Sequence, residues 1–233
     1  MSKIPYSTAL IIGVGLGISA SVGRALATEG VKVGLAARDV EKLSPLATEI
    51  GAETFAADAT DATAVATLFD HMEAKLGPLD VVLYNAAARL PGPITDLDPN
   101  EVQRVIAAST YAAFLVVQQA ARRMLPRRSG AILLTGASAS IKGYPRSSAF
   151  AMGMFGRRGL AQSAARELSP QGIHVAHFVI DGGVRSARFP EPPEKPDSML
   201  DPDAIAQTYL DVLRQPRNAW SWEIELRPWV ETF

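Results

Sequence analysis

The chain has 233 residues, 48% apolar and 20% charged, with a net charge of −1. That is enough for one large α/β domain with a substantial core, and the near-neutral balance gives no global field to draw in nucleic acid or an anionic membrane. Cysteine is absent, which excludes disulfides, thiolate metal sites and a thiol nucleophile.

Histidine occurs at His71, His174 and His177, without a tight acidic cluster, so no metal site is expected. No apolar run approaches the roughly 18 residues that span a bilayer, and the first seven residues are too short and too polar for a signal peptide. A cytoplasmic protein is the expectation. Arg122, Arg123, Arg127 and Arg128 read as the solvated, cation-bearing C-terminus of a helix.

Strand and helix patterns alternate along the chain. Ala9 to Ile12 is a short apolar run before glycines. Ile18, Val22, Ala25 and Leu26 then mark one helical face that closes at Gly30. Val31 to Ala37 and Thr54 to Ala57 read as the second and third strands, and Val65, Leu68, Phe69 and Met72 as another helical face. Leu79 to Tyr84 is the fourth strand, after the Gly77-Pro78 break. One long helix is predicted from about Pro99 to Arg127, a fifth strand over Ala131 to Thr135, a helix from about Ser147 to Leu168 and a sixth strand over Ile173 to Ile180. A last helix runs from about Pro202 to Arg214.

Strands that are apolar throughout belong to a parallel sheet covered on both faces, and repeated right-handed crossovers wind it doubly. The expected fold is therefore a single-domain, three-layer α/β/α Rossmann fold over residues 1–233. A Pro-rich insertion at about 185–200, centred on Arg188 to Pro196, follows the sixth strand as either a substrate lid or a disordered loop.

Gly13, Gly15 and Gly17 lie between the first strand and the first helix, with Ile18 and Ser19 after them. Glycines at this junction let the backbone turn tightly and approach a pyrophosphate at the helix N-terminus. The G-x-G-x-x-G pattern is not met, because position 18 is Ile. The spacing instead resembles the G-x-x-x-G-x-G turn of the short-chain dehydrogenase/reductase family, with Gly13 and Gly17 matching and Ser19 in place of the third glycine. Asp58-Ala59 resembles the family's adenine contact, and Asn85-Ala86 the second half of its Asn-Asn-Ala-Gly segment. The resemblance covers about three quarters of the chain. It implies a dinucleotide held by Gly13, Gly15, Gly17, Ile18, Asp58, Ala59, Asn85 and Ala86. Ala37 stands where an acidic residue would hold the ribose 2′-hydroxyl of NAD, and Arg38 beside it can pair with a 2′-phosphate. NADP(H) is therefore expected over NAD(H), although Leu16 stands where other NADP-binding members carry a second basic residue.

The family's proton relay uses Asn, Ser, Tyr and Lys. The resemblance places Ser109 at the Asn position and Ala137 at the Ser position, with Ser138 one step beyond and able to substitute. Phe150 stands at the Tyr position and Met154 at the Lys position. A phenyl ring has no proton to give and a thioether carries no charge. Tyr144, in the loop after Ser138, is the first candidate for a relocated donor. Tyr84, Tyr111 and Asp181 are others, each with a packing or capping role as the plainer reading. His174 and His177 read as satisfied strand histidines.

The resemblance implies a homodimer or homotetramer, with Tyr111, Phe114, Val117, Met152 and Phe155 supplying apolar helix surface. The tail from Trp220 to Arg227 alternates with period two, as a half-buried strand does, and its aromatic side chains serve either an interface or the intrachain core. Three functions follow as alternatives. The first is an NADP(H)-binding oxidoreductase with weak or altered activity on an unknown carbonyl or alcohol. The second is an inactive dinucleotide- or metabolite-binding regulatory homologue, and the third a lyase or isomerase reusing the pocket.

Overall fold

The computed structural model describes residues 3–232. The strands are β1 (Thr8–Ile12), β2 (Lys32–Ala37), β3 (Glu53–Ala56), β4 (Val81–Tyr84), β5 (Gly130–Thr135), β6 (Ile173–Ile180) and β7 (Glu223–Leu226). They form one seven-stranded sheet in the order β3-β2-β1-β4-β5-β6-β7, with every pairing parallel. The helices are α1 (Ile18–Thr28), α2 (Ser44–Ile50), α3 (Ala62–Leu76), α4 (Pro99–Ile106), α5 (Ala112–Met124), α6 (Ser148–Leu168) and α7 (Pro202–Leu213). No helix among the described residues is long and apolar enough to cross a membrane.

Successive strand side chains point to opposite faces, and this alternation builds two cores. Leu10, Ile12, Val82, Tyr84, Ile132 and Leu134 join the α3, α5 and α6 side. Ala9, Ile11, Val81, Leu83, Ala131 and Leu133 join the α1 and α7 side. With helices on both faces, each central strand has to be apolar at every position. The strand order reverses between β1 and β4, and in such sheets the crevice beyond the carboxyl ends of those two strands receives ligands.

The structure changes one expectation, adds one element and settles one alternative. The single helix predicted from Pro99 to Arg127 is interrupted: Ala107–Tyr111 forms a π-helical turn between α4 and α5, and Leu125–Arg127 a 3₁₀ turn. The π turn is fixed from outside the helix. Tyr84 donates its hydroxyl to the Ala108 carbonyl (2.5 Å), and Thr110 donates to the Gly153 carbonyl of α6 (2.6 Å). Such tertiary contacts leave no trace in the 3.6-residue period. Helix α2 has only 7 residues and one buried side chain, Leu46, too little for a periodic signal. The tail is intrachain: β7 pairs with β6, and Trp220 stacks on His174 at 4.7 Å between ring centroids.

The basic cluster is more engaged than a solvated helix end. Arg123 pairs with Asp70 and Glu73, and Arg127 with Asp80 (2.8 Å).

Two glycine substitutions test how tightly the fold is built. A Cβ on Gly136 would stand 2.3 Å from His177 Nε2 and 2.7 Å from Ser140 Oγ, whereas one on Gly159, inside α6, meets nothing within 4 Å. Gly136→Ala is expected to destabilise by about 2 kcal/mol or more through overpacking. Gly159→Ala is expected to stabilise by about 0.5–1 kcal/mol through reduced chain entropy. Urea denaturation of both variants reads the opposite signs.

Candidate active site

The turn between β1 and α1 is shaped for close approach. Gly13 adopts φ +84°, and a Cβ there would stand 2.3 Å from the Ala86 amide nitrogen, so both conformation and space demand glycine. Gly15 and Gly17 face open space. Gly17 gives α1 no side-chain cap, and the first turn carries no acidic residue, which leaves the positive helix end open to an anion. Ser19 fills the place of the missing third glycine with a role of its own. Its hydroxyl donates to the Gly13 carbonyl (3.1 Å) and accepts from Asn85 Nδ2 (2.7 Å), tying the turn to the end of β4.

Three cavities follow one another along this edge. The first, about 350 Å³, is lined by Gly13, Gly15, Arg38, Asp58, Ala59 and Ala86 among others. Asp58 accepts from the Thr60 amide and hydroxyl (2.9 and 2.7 Å), which together hold its carboxyl below the usual range. The second, about 280 Å³, lies between Gly15, Gly17, Ile18 and Val184 to Ser186. The third, about 940 Å³, contains Asn85, Ser138, Tyr144, Phe150, Met154, Arg157 and Asp181 in its wall. Asn85 borders all three. The residues present therefore fit an extended dinucleotide: an exposed cation at one end, an open helix N-terminus in the middle and a large cavity at the other.

At the large cavity the structure brings together Ser138, Tyr144, Phe150 and Met154. It does not bring Ser109. That side chain is fully buried where the π turn meets α6, and its hydroxyl accepts from the Ala88 amide at 3.5 Å. The close approach requires Gly153, whose added Cβ would stand 2.6 Å from Ser109 Cβ. Ser109 is thus a packing residue at this junction, not part of the cavity wall.

Two other proton-donor candidates are also placed away from this role. Tyr84 is buried, its hydroxyl is engaged with Ala108, and burial pushes its pKa up to about 12. Tyr111 is exposed and stacks on Phe114. Asp181 does line the cavity, but its buried carboxylate is paired with Lys142 (3.1 Å) and Arg227 (3.3 Å). No lysine borders the cavity among the described residues. The Pro-rich segment closes over it. At its base Leu200 accepts from the Arg185 amide and donates its own amide to the Gly183 carbonyl, while Phe189 and Met199 reach the wall.

Two arginines escape a reading by motif. Arg157 is completely buried and donates to three backbone carbonyls: Ser109 (2.7 Å), Thr135 (2.6 Å) and Ala86. Its guanidinium lies 4.8 Å from the Tyr84 ring centroid, and burial lowers its pKa to about 10, which still leaves it cationic at neutral pH. The signal was available in the helical period. Phe150, Met154, Arg157 and Ala161 share one buried stripe of α6, so a cation sits where the period demands an apolar side chain. Arg89, in the loop after β4, lies over the Phe150 ring at 4.6 Å; nothing in its neighbours along the chain signals that contact.

Behind the cavity, Ser140, His177 and Glu223 form a buried chain. Ser140 Oγ meets His177 Nε2 at 3.5 Å, and His177 Nδ1 meets Glu223 at 3.2 Å. Arg158 holds the same carboxylate with two hydrogen bonds, at 2.6 and 2.8 Å. Ser140 and His177 have no exposed surface, so the chain is structural despite its resemblance to a nucleophile–base–acid arrangement. Burial, against the pull of Glu223, lowers the His177 pKa to about 4.

The family model described as short chain dehydrogenase matches residues 7–191. The chain belongs to the short-chain dehydrogenase family. An uncharacterized oxidoreductase of Staphylococcus aureus strain MW2 is 27% identical over 234 residues, covering 98% of this chain and all of that one. The crystal structure of a short-chain dehydrogenase from Rhodopseudomonas palustris shares 34% identity with a TM-score of 0.83, over 96% of this chain and 99% of its own. A metagenomic short-chain oxidoreductase, solved in complex with NADP, shares 28% identity with a TM-score of 0.84, over 97% and 99% of the two chains. Members of this family bind a nicotinamide dinucleotide.

His177 gives the site's support a pH signature. Its folded pKa, about 4, lies below the ordinary value near 6.5, so the unfolded chain takes up the proton first. The stability it contributes is complete above pH 6.5 and falls as pH drops toward 4. Between pH 7.5 and 5 the loss is expected to reach about 2 kcal/mol, with His174, also lowered by burial, adding in the same direction. Urea midpoints at the two pH values should fall in the native chain and fall less in His177→Asn. An unchanged slope in the variant would assign the effect elsewhere.

Proposed function

We propose that this short-chain dehydrogenase is an NADP(H)-dependent oxidoreductase acting on a small carbonyl or alcohol substrate, with a proton relay unlike its family's. The observation that carries the reading is the continuous crevice from Arg38, past the open N-terminus of α1, to the cavity floored by Phe150 and Met154. Arg38 beside Ala37 favours the 2′-phosphate, as does the NADP bound to the metagenomic relative. When bound, the cofactor supplies or accepts the hydride. The chain's own residues then have to orient the substrate and bring a proton to the carbonyl oxygen.

Phe150 has no proton to give, and Met154 has no charge with which to hold a ribose hydroxyl or lower a neighbouring pKa. Ser138 and Tyr144 are the hydroxyl-bearing side chains of the family's relay region that reach the cavity wall, and we assign the proton transfer to them. Tyr144 lies in a half-exposed loop, open to exchange with water. Loss of a positioned acid lowers the rate by about 10²- to 10⁴-fold, so slow turnover is part of the reading. Tyr111, Phe114, Met152 and Phe155, exposed on neighbouring helices, supply the face of a homodimer or homotetramer. A second reading, an inactive regulatory homologue that holds dinucleotide, draws on the same Phe150 and Met154.

Three measurements follow. Arg38→Ala should weaken NADPH binding by about 10- to 100-fold, the worth of a charge-assisted pair, and leave NADH binding unchanged. Titration with both dinucleotides checks it, and an equal loss for NADH would remove the 2′-phosphate assignment. The paired change Phe150→Tyr with Met154→Lys should raise NADPH-dependent reduction across an aldehyde and ketone panel by at least 10²-fold. Thermal shift with NADPH separates the two readings of the native chain, since a shift without any turnover leaves only the binding role.

A further inference from the structure

We propose that Arg89 is the substrate-anchoring residue of the large cavity, and that the substrate carries a carboxylate on an apolar body. The proposal deepens the oxidoreductase reading and rests on it for the chemistry, while the binding itself is tested separately.

Arg89 belongs to the cavity wall. Its guanidinium lies 4.6 Å from the centroid of the Phe150 ring. A guanidinium over a ring face is held there by the ring's quadrupole, and the contact uses none of its N–H donors as hydrogen bonds to a protein oxygen. Among the described residues Arg89 makes no ion pair and no hydrogen bond with a side chain or carbonyl. A guanidinium placed over an aromatic ring in a cavity wall and lacking a protein acceptor is available to a carboxylate, which it takes with two parallel hydrogen bonds.

The other charges of the wall are accounted for differently. Arg157 has its donors directed to the carbonyls of Ser109, Thr135 and Ala86. Asp181 is neutralised by Lys142 and Arg227. Glu231 also borders the cavity, beside Gly182 and Pro228, and its carboxylate repels an anion, which leaves Arg89 as the cation available to one. The apolar part of the wall is Phe150, Met154, Ile180, Phe189 and Met199, with Ser138 and Tyr144 as the hydroxyls assigned to proton transfer. A ligand complementary to this wall is an acid with an aryl or medium-length alkyl body. The replacement of a phenol by Phe150 fits the same reading, since the ring serves as a platform for the cation that selects the substrate.

The test is isothermal titration of the purified protein, with and without NADP⁺, using phenylpyruvate, 2-oxooctanoate and the methyl ester of each. The acids are expected to bind at least 10-fold more tightly than their esters. Arg89→Ala should remove that difference, Arg89→Lys should retain part of it, and neither variant should change NADPH affinity by more than about twofold. Esters that bind as well as acids, acids that bind Arg89→Ala as they bind the native chain, or acids that bind nothing overturn the proposal. NADPH binding that survives alongside any of those results confines the failure to Arg89. Loss of NADPH binding in the native chain removes the oxidoreductase reading instead.

Discussion

One buried cation organises the carboxyl edge of the sheet in this molecule. The Arg157 guanidinium reaches from α6 to the π turn at Ser109, the end of β5 at Thr135 and the segment after β4 at Ala86. Removing such a group from water costs several kcal/mol. Charge-assisted hydrogen bonds, each worth about 1.5–3 kcal/mol, and the face of Tyr84 offset that cost only if all three carbonyls arrive together. The arginine therefore makes three separate chain segments interdependent. Ser19 and Asn85 extend the linkage to the glycine turn, so the dinucleotide cradle and the substrate cavity share one polar framework.

The framework explains why the cavity keeps its shape while carrying unusual side chains. Phe150 and Met154 are buried against Ala139 and Ala137, a small apolar cluster that needs no polar partner. The charge that the family places at position 154 is absent there, and the nearest buried cation on the same stripe, Arg157, is committed to backbone carbonyls. What remains for a ligand is the surface of the cavity: two hydroxyls, an apolar floor and the Arg89 fork. Behind it, the Ser140–His177–Glu223 chain, closed by Arg158, joins β6, β7 and α6. Its inner members, Ser140 and His177, are fully buried, and only the Glu223–Arg158 end meets solvent.

The fold was legible in the sequence because the central strands are almost wholly apolar, as a sheet covered on both faces requires, and because glycine breaks separate the strand patterns from the helical ones. Family membership rested on the same residues: Gly13, Gly17, Asp58 and Asn85 stand in order, and each borders the crevice. The part of the crevice that the resemblance assigns to a dinucleotide was therefore readable from local spacing, since one turn and the ends of neighbouring strands compose it. The substrate half was less so. Ser109 holds its register position but points into a helix junction, and Arg89 meets Phe150 from 61 positions away along the chain.

What the sequence determined by itself was the order of elements, the glycine turn and the absence of a phenol and an ammonium at positions 150 and 154. These follow from residue identity and short-range period. Tertiary structure alone decided the π turn, the place of the tail as β7, the burial of Arg157 and the stacking of Arg89. Each arises when groups distant in sequence compete for the same carbonyl, ring or sheet edge, and that competition is resolved only once the layers close.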